Sequence, residues 1–231
     1  MTRYSTFLID LDHTLFDTDA SEAAALTQAM SIAGAVATVE LTDLFRRINL
    51  ALWARVEQGE LTPQRVRSLR FEALVEDAGL DADPQAMSDI YVAALGANGG
   101  LYSGAAELLE FMAGYASLAL LTNGLSEVQR ARIERLGIAD HFDAIVISAE
   151  VGAAKPHPEI FDIAFGMLGS PGKDAALMVG DNLSADIQGG ANYGIATCWY
   201  NPRRLSAGPD DRVSHEIQAL DELRTYVAVD K

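Results

Sequence analysis

Short apolar runs rich in β-branched and aromatic residues recur along this 231-residue chain and constrain its fold more than any other feature. Runs of this length and composition are typical of buried strands. Beyond residue 99 they alternate with amphipathic helical stretches, which predicts a parallel sheet covered by helices on both faces, a doubly wound α/β fold. The predicted strands are residues 6–9, 117–121, 144–147, 175–179 and 195–199, with an edge element and a last helix within 213–226.

The segment between the first strand and the others has a different character. It predicts helices and no strand, with starts near Asp19 or Thr18, Leu41, Pro63 and Pro84. Four helices without a strand make a small bundle. Because this bundle interrupts the strand–helix alternation, we expect an inserted helical cap of residues 17–98 on a core of residues 1–16 and 99–231.

The charge balance limits the partners that the chain can have. Its formal net charge of −16 argues against nucleic-acid polymers, which bind basic surfaces. The early apolar stretch is interrupted at Asp10 and is too short for a signal peptide or a membrane span. Cys198 is the only cysteine, so no intrachain disulfide can form. We therefore expect a cytoplasmic protein with neither nucleic-acid polymers nor membranes as partners.

Two carboxylates, Asp10 and Asp12, follow directly on the first predicted strand. In doubly wound folds the ligand crevice lies at the carboxyl ends of the strands. Carboxylates held there lose solvation unless something pairs with them, and a divalent cation is a natural partner. The simpler alternative is that both residues only end the strand and open a turn.

Polar residues also follow the second and third predicted strands. Thr122 and Asn123, next to Gly124, could bind a phosphoryl oxygen through the hydroxyl and exposed backbone N–H groups, although an ordinary turn would look the same. Lys155 precedes Pro156, which we expect at the first position of a helix. A lysine there could neutralise a carboxylate pair or a phosphate, or could be a solvated surface charge.

The fourth predicted strand is followed by two further carboxylates. Asp181 occupies the position on its strand that Asp10 occupies on the first, and it could complete a cation site. Asp186 could cap the next helix or hold Lys155 in place. Oxygen ligands without clustered histidine or cysteine favour Mg²⁺ over zinc.

This set of motifs resembles the haloacid dehalogenase superfamily of aspartate-nucleophile phosphohydrolases. The resemblance implies a Rossmann-like core, Mg²⁺ as cofactor and a small phosphorylated metabolite as substrate. It is carried by Asp10-x-Asp12-x-Thr14, Thr122 with Asn123, Lys155-Pro156, and Gly180-Asp181 with Asp186.

The resemblance also implies a role for each motif. Asp10 would attack phosphorus and become an aspartyl-phosphate. Asp12 would protonate the leaving alcohol and then activate water, which requires a raised pKa, while its backbone carbonyl would join Asp10 and Asp181 in holding the metal. The remaining residues would bind the phosphoryl group (Thr122, Asn123, Lys155), orient that lysine (Asp186) and steady the loop (Thr14).

A closer likeness, to bacterial non-canonical pyrimidine 5′-nucleotidases, implies dephosphorylation of pyrimidine nucleoside monophosphates. The sequence that carries it lies at 49–53, 58–59 and 70–72 in the cap and at 147–152 and 194–199 in the core. Trp53 and Phe71 could stack on a base, or could belong to the core of the bundle.

The sequence also bears on several alternative functions. A phosphonate-cleaving relative needs a cap lysine, and residues 13–154 contain none. A dehalogenase needs neither Asp12 nor a metal site. A sugar-phosphate phosphatase or a phosphomutase uses the same core chemistry and stays open. A catalytically silent binding or regulatory protein would have no use for Asp10, Asp12, Lys155 and Asp181 together.

Overall fold

The computed structural model describes residues 3–206 and 212–229 and contains the predicted parallel sheet. The strands are β1 (Thr6–Ile9), β2 (Ser117–Thr122), β3 (Ala144–Ile147), β4 (Ala176–Gly180), β5 (Ala196–Tyr200) and β6 (His215–Ile217). They run parallel in the order β3-β2-β1-β4-β5-β6. Ile9 lies opposite Leu120 and Val179, so the chain leaves the three central strands at the same edge of the sheet.

Helices before and after the central strands cover both faces of the sheet. Phe7 and Ile9 belong to one apolar cluster, and Leu8 belongs to another on the opposite face. This alternation explains why the strands are apolar throughout rather than at every second residue.

The helices between β1 and β2 include the predicted bundle. The helices are α1 (Thr18–Ile32), α2 (Val39–Glu57), α3 (Pro63–Ala78), α4 (Pro84–Ala97) and α5 (Ala105–Ala113). The four members of the bundle, α1 to α4, share an apolar cluster in which Phe45, Phe71 and Tyr91 pack together, and Leu125 and Val128 join this cluster from outside the bundle. The division of the chain into a core and a cap domain remains a prediction.

The later helices differ in part from the predictions. The expected helix at Pro156 is wrong: the helix begins at Pro158, because His157 has an extended backbone and serves as its N-cap. Lys155 therefore lies in a turn and not at a helix entry. These helices are α6 (Ser126–Leu136), α7 (Ser148–Val151), α8 (Pro158–Met167) and α9 (Gln188–Tyr193).

Two irregular segments complete the described chain. The single helix expected from Ser184 is instead a π-helical turn, Leu183–Ile187, followed by α9. The expected last helix is a 3₁₀ helix, Leu220–Tyr226, after β6. Within residues 3–206 and 212–229, no helix combines the length and apolar character needed to cross a membrane. A cytoplasmic location stays a prediction.

Candidate active site

The carboxyl ends of the strands open into a cavity of about 350 Å³ that lies between the sheet and the bundle. Core and bundle both contribute side chains to its wall. The core residues include Asp10, Asp12, Lys155 and Asp181, and the bundle residues include Glu22, Asn49, Trp53 and Arg70.

Asp10 and Lys155 form a buried ion pair at the base of this cavity. Lys155 Nζ donates to Asp10 Oδ1 at 2.6 Å, and the Thr14 hydroxyl donates to Asp10 Oδ2 at 3.2 Å. Burial raises the pKa of Asp10 to about 7; Lys155 opposes this rise and Asp186 adds to it. The structure thus places the predicted nucleophile, its supporting threonine and the predicted lysine together.

Asp186 supplies a second carboxylate to the same lysine. Its Oδ1 lies 2.7 Å from Lys155 Nζ, and its Oδ2 accepts a hydrogen bond from the Asn182 N–H at 3.0 Å. Gly180 makes this approach possible, since a Cβ on that residue would lie 2.1 Å from Asp186 Oδ2. Of the two alternatives for Asp186, the structure shows the contact with Lys155, whereas the Asn182 side chain caps the following turn.

Asp181 stands beside this group and completes a cluster of carboxylates. Ligand atoms of Asp10, Asp181 and Asp186 all lie within 4.8 Å of one another. Burial, together with the charges of Asp10 and Asp186, raises the pKa of Asp181 to about 8. No side chain of the described residues forms an ion pair or hydrogen bond with the Asp181 carboxylate. Clustered carboxylate oxygens with a single lysine fit a hard divalent cation such as Mg²⁺.

Asp12 is held by a different set of partners. Its carboxylate accepts hydrogen bonds from Arg132 Nη1 at 2.6 Å, Gln129 Nε2 at 2.6 Å and the Thr18 hydroxyl at 2.8 Å. Burial acts to raise the pKa of Asp12, but the Arg132 charge and these hydrogen bonds together lower it below its ordinary value. The expectation of a raised pKa is wrong for this arrangement, because Arg132 places a positive charge next to the carboxylate. The expected metal contact through the Asp12 backbone carbonyl stays a prediction.

The two predicted phosphate-binding residues after β2 are engaged with other protein groups. The Thr122 hydroxyl is fully buried and accepts a hydrogen bond from Gln129 Nε2 at 3.0 Å. The Asn123 side chain donates to the Lys155 carbonyl and accepts from the Lys155 N–H, both at 2.9 Å. Asn123 therefore fixes the turn that carries Lys155, and direct phosphate binding by either residue stays a prediction.

The two candidate stacking residues have different positions. Phe71 is fully buried between Phe45 and Tyr91, so a stacking role for it is wrong and the core alternative is confirmed. Trp53 is half-buried and lines the cavity.

Sequence reasoning missed several residues that line this site. Gln129 and Arg132 lie three positions apart in α6, which is the spacing of an ordinary helical face. Glu22 belonged to no motif. Asn49 and Arg70 lie in the cap stretches 49–53 and 70–72 that carry the nucleotidase likeness, but neither was assigned a role. A charged residue among the apolar positions of the bundle was a further signal that pointed to Arg70.

A buried carboxylate and lysine beside a carboxylate cluster that could hold a cation, at the carboxyl edge of a parallel sheet, are features of a phosphoryl-transfer hydrolase. Residues 4–194 match the haloacid dehalogenase-like hydrolases, and the chain belongs to this family.

The sequences of several relatives align with almost the whole chain. Pyrimidine 5′-nucleotidase YjjG of Escherichia coli K12 is 36% identical, with 96% of each chain aligned. Pyrimidine 5′-nucleotidase PynA of Streptococcus pneumoniae R6 is 33% identical over 95% of this chain and 93% of its own. A magnesium-bound crystal structure of YfnB from Bacillus subtilis superposes with a TM-score of 0.89 at 32% identity, covering 97% of this chain and 98% of that one. The chain is thus an enzyme of the phosphoric monoester hydrolase class.

Proposed function

We propose that this enzyme is a Mg²⁺-dependent phosphatase that dephosphorylates pyrimidine nucleoside 5′-monophosphates through an aspartyl-phosphate on Asp10. The observation that carries the chemistry is the buried Asp10–Lys155 pair inside the carboxylate cluster. The pyrimidine 5′-nucleotidases among its relatives support the substrate class. The small cavity and the net charge of −16 favour a single nucleotide over a nucleic-acid polymer.

In the first step an oxygen of Asp10 attacks phosphorus while the bond from phosphorus to the ester oxygen breaks. Repulsion between the carboxylate and the phosphate dianion opposes this attack. Lys155 Nζ, 2.6 Å from Asp10, reduces the repulsion and can stabilise the phosphoryl oxygens. Asp186 and Asn123 hold this lysine by its ammonium group and its backbone.

Asp12 donates a proton in the first step and accepts one in the second. The leaving alcohol needs a proton, and the water that hydrolyses the aspartyl-phosphate must lose one. In the free enzyme Arg132 keeps Asp12 ionised, which suits the role of base. The negative phosphate of a bound substrate raises the pKa of a neighbouring carboxyl, so substrate binding favours the protonated form that the first step needs.

The same carboxylates fit the magnesium ion that the family implies. Asp10 and Asp181 would hold it, together with the Asp12 backbone carbonyl, while Asp186 would keep its contact with Lys155. When bound, Mg²⁺ supplies positive charge to the phosphoryl oxygens.

A phosphate-release panel tests this proposal. We expect uridine and thymidine monophosphates to be hydrolysed with higher kcat/KM than sugar phosphates, and activity to be lost after exhaustive EDTA treatment and regained with Mg²⁺. Full activity in EDTA would overturn the metal requirement. A preference for sugar phosphates would overturn the substrate class and favour the sugar-phosphate alternative, and absence of all phosphatase activity would favour a silent binding protein.

A further inference from the structure

Arg70 of α3 is a buried cation whose hydrogen-bonding capacity is largely unused. It is 2% exposed and its guanidinium carbon lies 4.4 Å from the centre of the Tyr91 ring. Among the described residues, Nε and Nη2 have no hydrogen-bonding partner, and Nη1 makes only a long contact of 3.4 Å to Asn49 Oδ1. Because a buried charge is costly when its donors are unpaired, this side chain is suited to donate to a ligand in the cavity that it lines.

Glu22 of α1 provides an acceptor on the same wall of the cavity. Its Oε1 accepts from Asn49 Nδ2 at 3.1 Å, and Oε2 forms no hydrogen bond within the described part of the chain. Asn49 thus lies between the two charged groups, with a hydrogen bond to the carboxylate and the long contact to the guanidinium. As far as the described residues go, Glu22 and Arg70 offer one unpaired acceptor oxygen and two unpaired donor nitrogens, and their formal charges cancel.

The surroundings restrict what such a pair can bind. Leu50, Trp53 and Leu95 of the bundle, together with Val128 of α6, give the cavity apolar surface near this pair. A second phosphate would be repelled by Glu22, and a sugar would leave the apolar surface without a complementary partner. A neutral, flat ring with an N–H next to a carbonyl matches both the charge balance and the apolar surface. The imide edge of uracil or thymine has this pattern.

We propose that Glu22, Asn49 and Arg70 form the base-recognition subsite of the enzyme. Glu22 accepts a hydrogen bond from the ring N–H, and Arg70 donates to the adjacent carbonyl oxygen. Asn49, which contacts both side chains, holds them in position. This inference rests on the proposed function, since it names the residues that select the pyrimidine substrate.

The test compares kcat/KM for uridine monophosphate, its N3-methyl derivative and ribose 5-phosphate. Wild-type enzyme should prefer uridine monophosphate to both others, because the methyl group removes the N–H and ribose 5-phosphate has no base. Arg70→Met should reduce the preference by at least about tenfold, the usual effect of losing a hydrogen bond to a charged group. Glu22→Gln should reduce it by about fivefold, because the amide oxygen that replaces the carboxylate is a neutral and weaker acceptor. Glu76→Gln and Arg65→Met, at exposed positions of α3, are matched controls that should keep the wild-type ratios.

The outcomes separate this inference from the proposed function. If wild-type enzyme prefers uridine monophosphate and folded Glu22→Gln keeps all the wild-type ratios, the subsite is wrong and the proposed function stands. If wild-type enzyme does not prefer uridine monophosphate over ribose 5-phosphate, the proposed substrate class itself is wrong. Should Arg70→Met fail to fold, Glu22→Gln decides alone, because Glu22 is only half-buried and the substitution preserves its shape.

Discussion

Arg132 Nη1 lies 2.6 Å from Asp12 Oδ1, although the two residues are 120 positions apart in the sequence. The same guanidinium donates to the Leu95 carbonyl at 3.1 Å and to the Ser21 hydroxyl at 3.2 Å, both of which belong to the bundle. Arg132 therefore connects the proposed acid–base residue to the helices that line the other side of the cavity.

Replacing Arg132 with methionine should weaken both folding and turnover. The Asp12 carboxylate would lose its counter-charge, and breaking a largely buried ion pair costs about 3 kcal/mol. The pKa of Asp12 should rise at the same time, so the basic limb of the pH profile of kcat/KM, which reports the first step and its need for protonated Asp12, should move to higher pH. Chemical denaturation and a pH–rate series measure the two effects.

Arg130→Met, on the same helix, is the control for this substitution. Arg130 pairs with Glu150 at the surface, and such pairs contribute about 0.5 kcal/mol. If Arg132→Met were no more destabilising than Arg130→Met, and the pH profile did not move, the connection through Arg132 would have no energetic role.

Lys155→Met should destabilise the enzyme by about 3–5 kcal/mol, because it leaves Asp10 and Asp186 buried without a cation. Adding Asp10→Asn to this variant should restore part of the loss, since it removes one of the uncompensated charges. Lys173→Met, which removes an exposed lysine, should cost about 1 kcal/mol or less. Equal unfolding midpoints for Lys155→Met and Lys173→Met would contradict the claim that Lys155 neutralises the two buried carboxylates.

Gly180→Ala tests whether Asp186 must approach the end of β4 closely. The new Cβ would meet Asp186 Oδ2 at 2.1 Å, so the carboxylate must move away from Lys155, with a loss of about 1–3 kcal/mol and of most activity. Gly166→Ala in α8 is the matched control: it meets no atom within 4 Å and should stabilise the helix by about 0.5–1 kcal/mol. A fully active Gly180→Ala enzyme would show that this contact is dispensable.

The carboxylate cluster should make stability depend on pH in a metal-free sample. Asp10 and Asp181 have pKa values of about 7 and about 8, above the ordinary range of a carboxyl, so the folded state binds more protons than the unfolded state between about pH 4 and 8. The free energy of unfolding in EDTA should therefore fall as the pH rises through this window. The lowered pKa of Asp12 affects the free energy of unfolding only below this pH window.

Magnesium and a substitution at Asp181 separate this effect from other titrations. Saturating Mg²⁺ should stabilise the protein more at pH 8 than at pH 5, since the metal competes with protons for these carboxylates. Asp181→Asn should show a smaller fall in EDTA and a smaller gain from Mg²⁺. A fall of the same size in Asp181→Asn would mean that Asp181 does not contribute.

The strands were predictable because they are buried on both faces and are apolar throughout. Their ends were shifted by one residue at β2, β4 and β5, since strand pairing and not composition sets them. The start of α8 was misplaced because Pro156 and Pro158 both fit the first turn of a helix. Local sequence could not decide which proline follows the N-cap.

The core of the site was predictable from residues at strand ends, where a parallel sheet brings distant positions together. Arg132 and Arg70 were not, because each lies on a regular helix and gains its role only from tertiary packing. The direction of the pKa shift of Asp12 was wrong for the same reason: its principal partner was unknown.

The most direct test of the central claim is to trap the phosphoryl group on the enzyme. Substrate labelled with ³²P is mixed with enzyme and Mg²⁺, the reaction is stopped in acid within one turnover, and the labelled peptide is sequenced. We predict label on Asp10 that is released by hydroxylamine, as expected of an acyl phosphate, and its absence in folded Asp10→Asn, whose turnover should fall at least about 1000-fold. Label on another residue, or an active Asp10→Asn enzyme, would contradict the assignment of Asp10 as nucleophile.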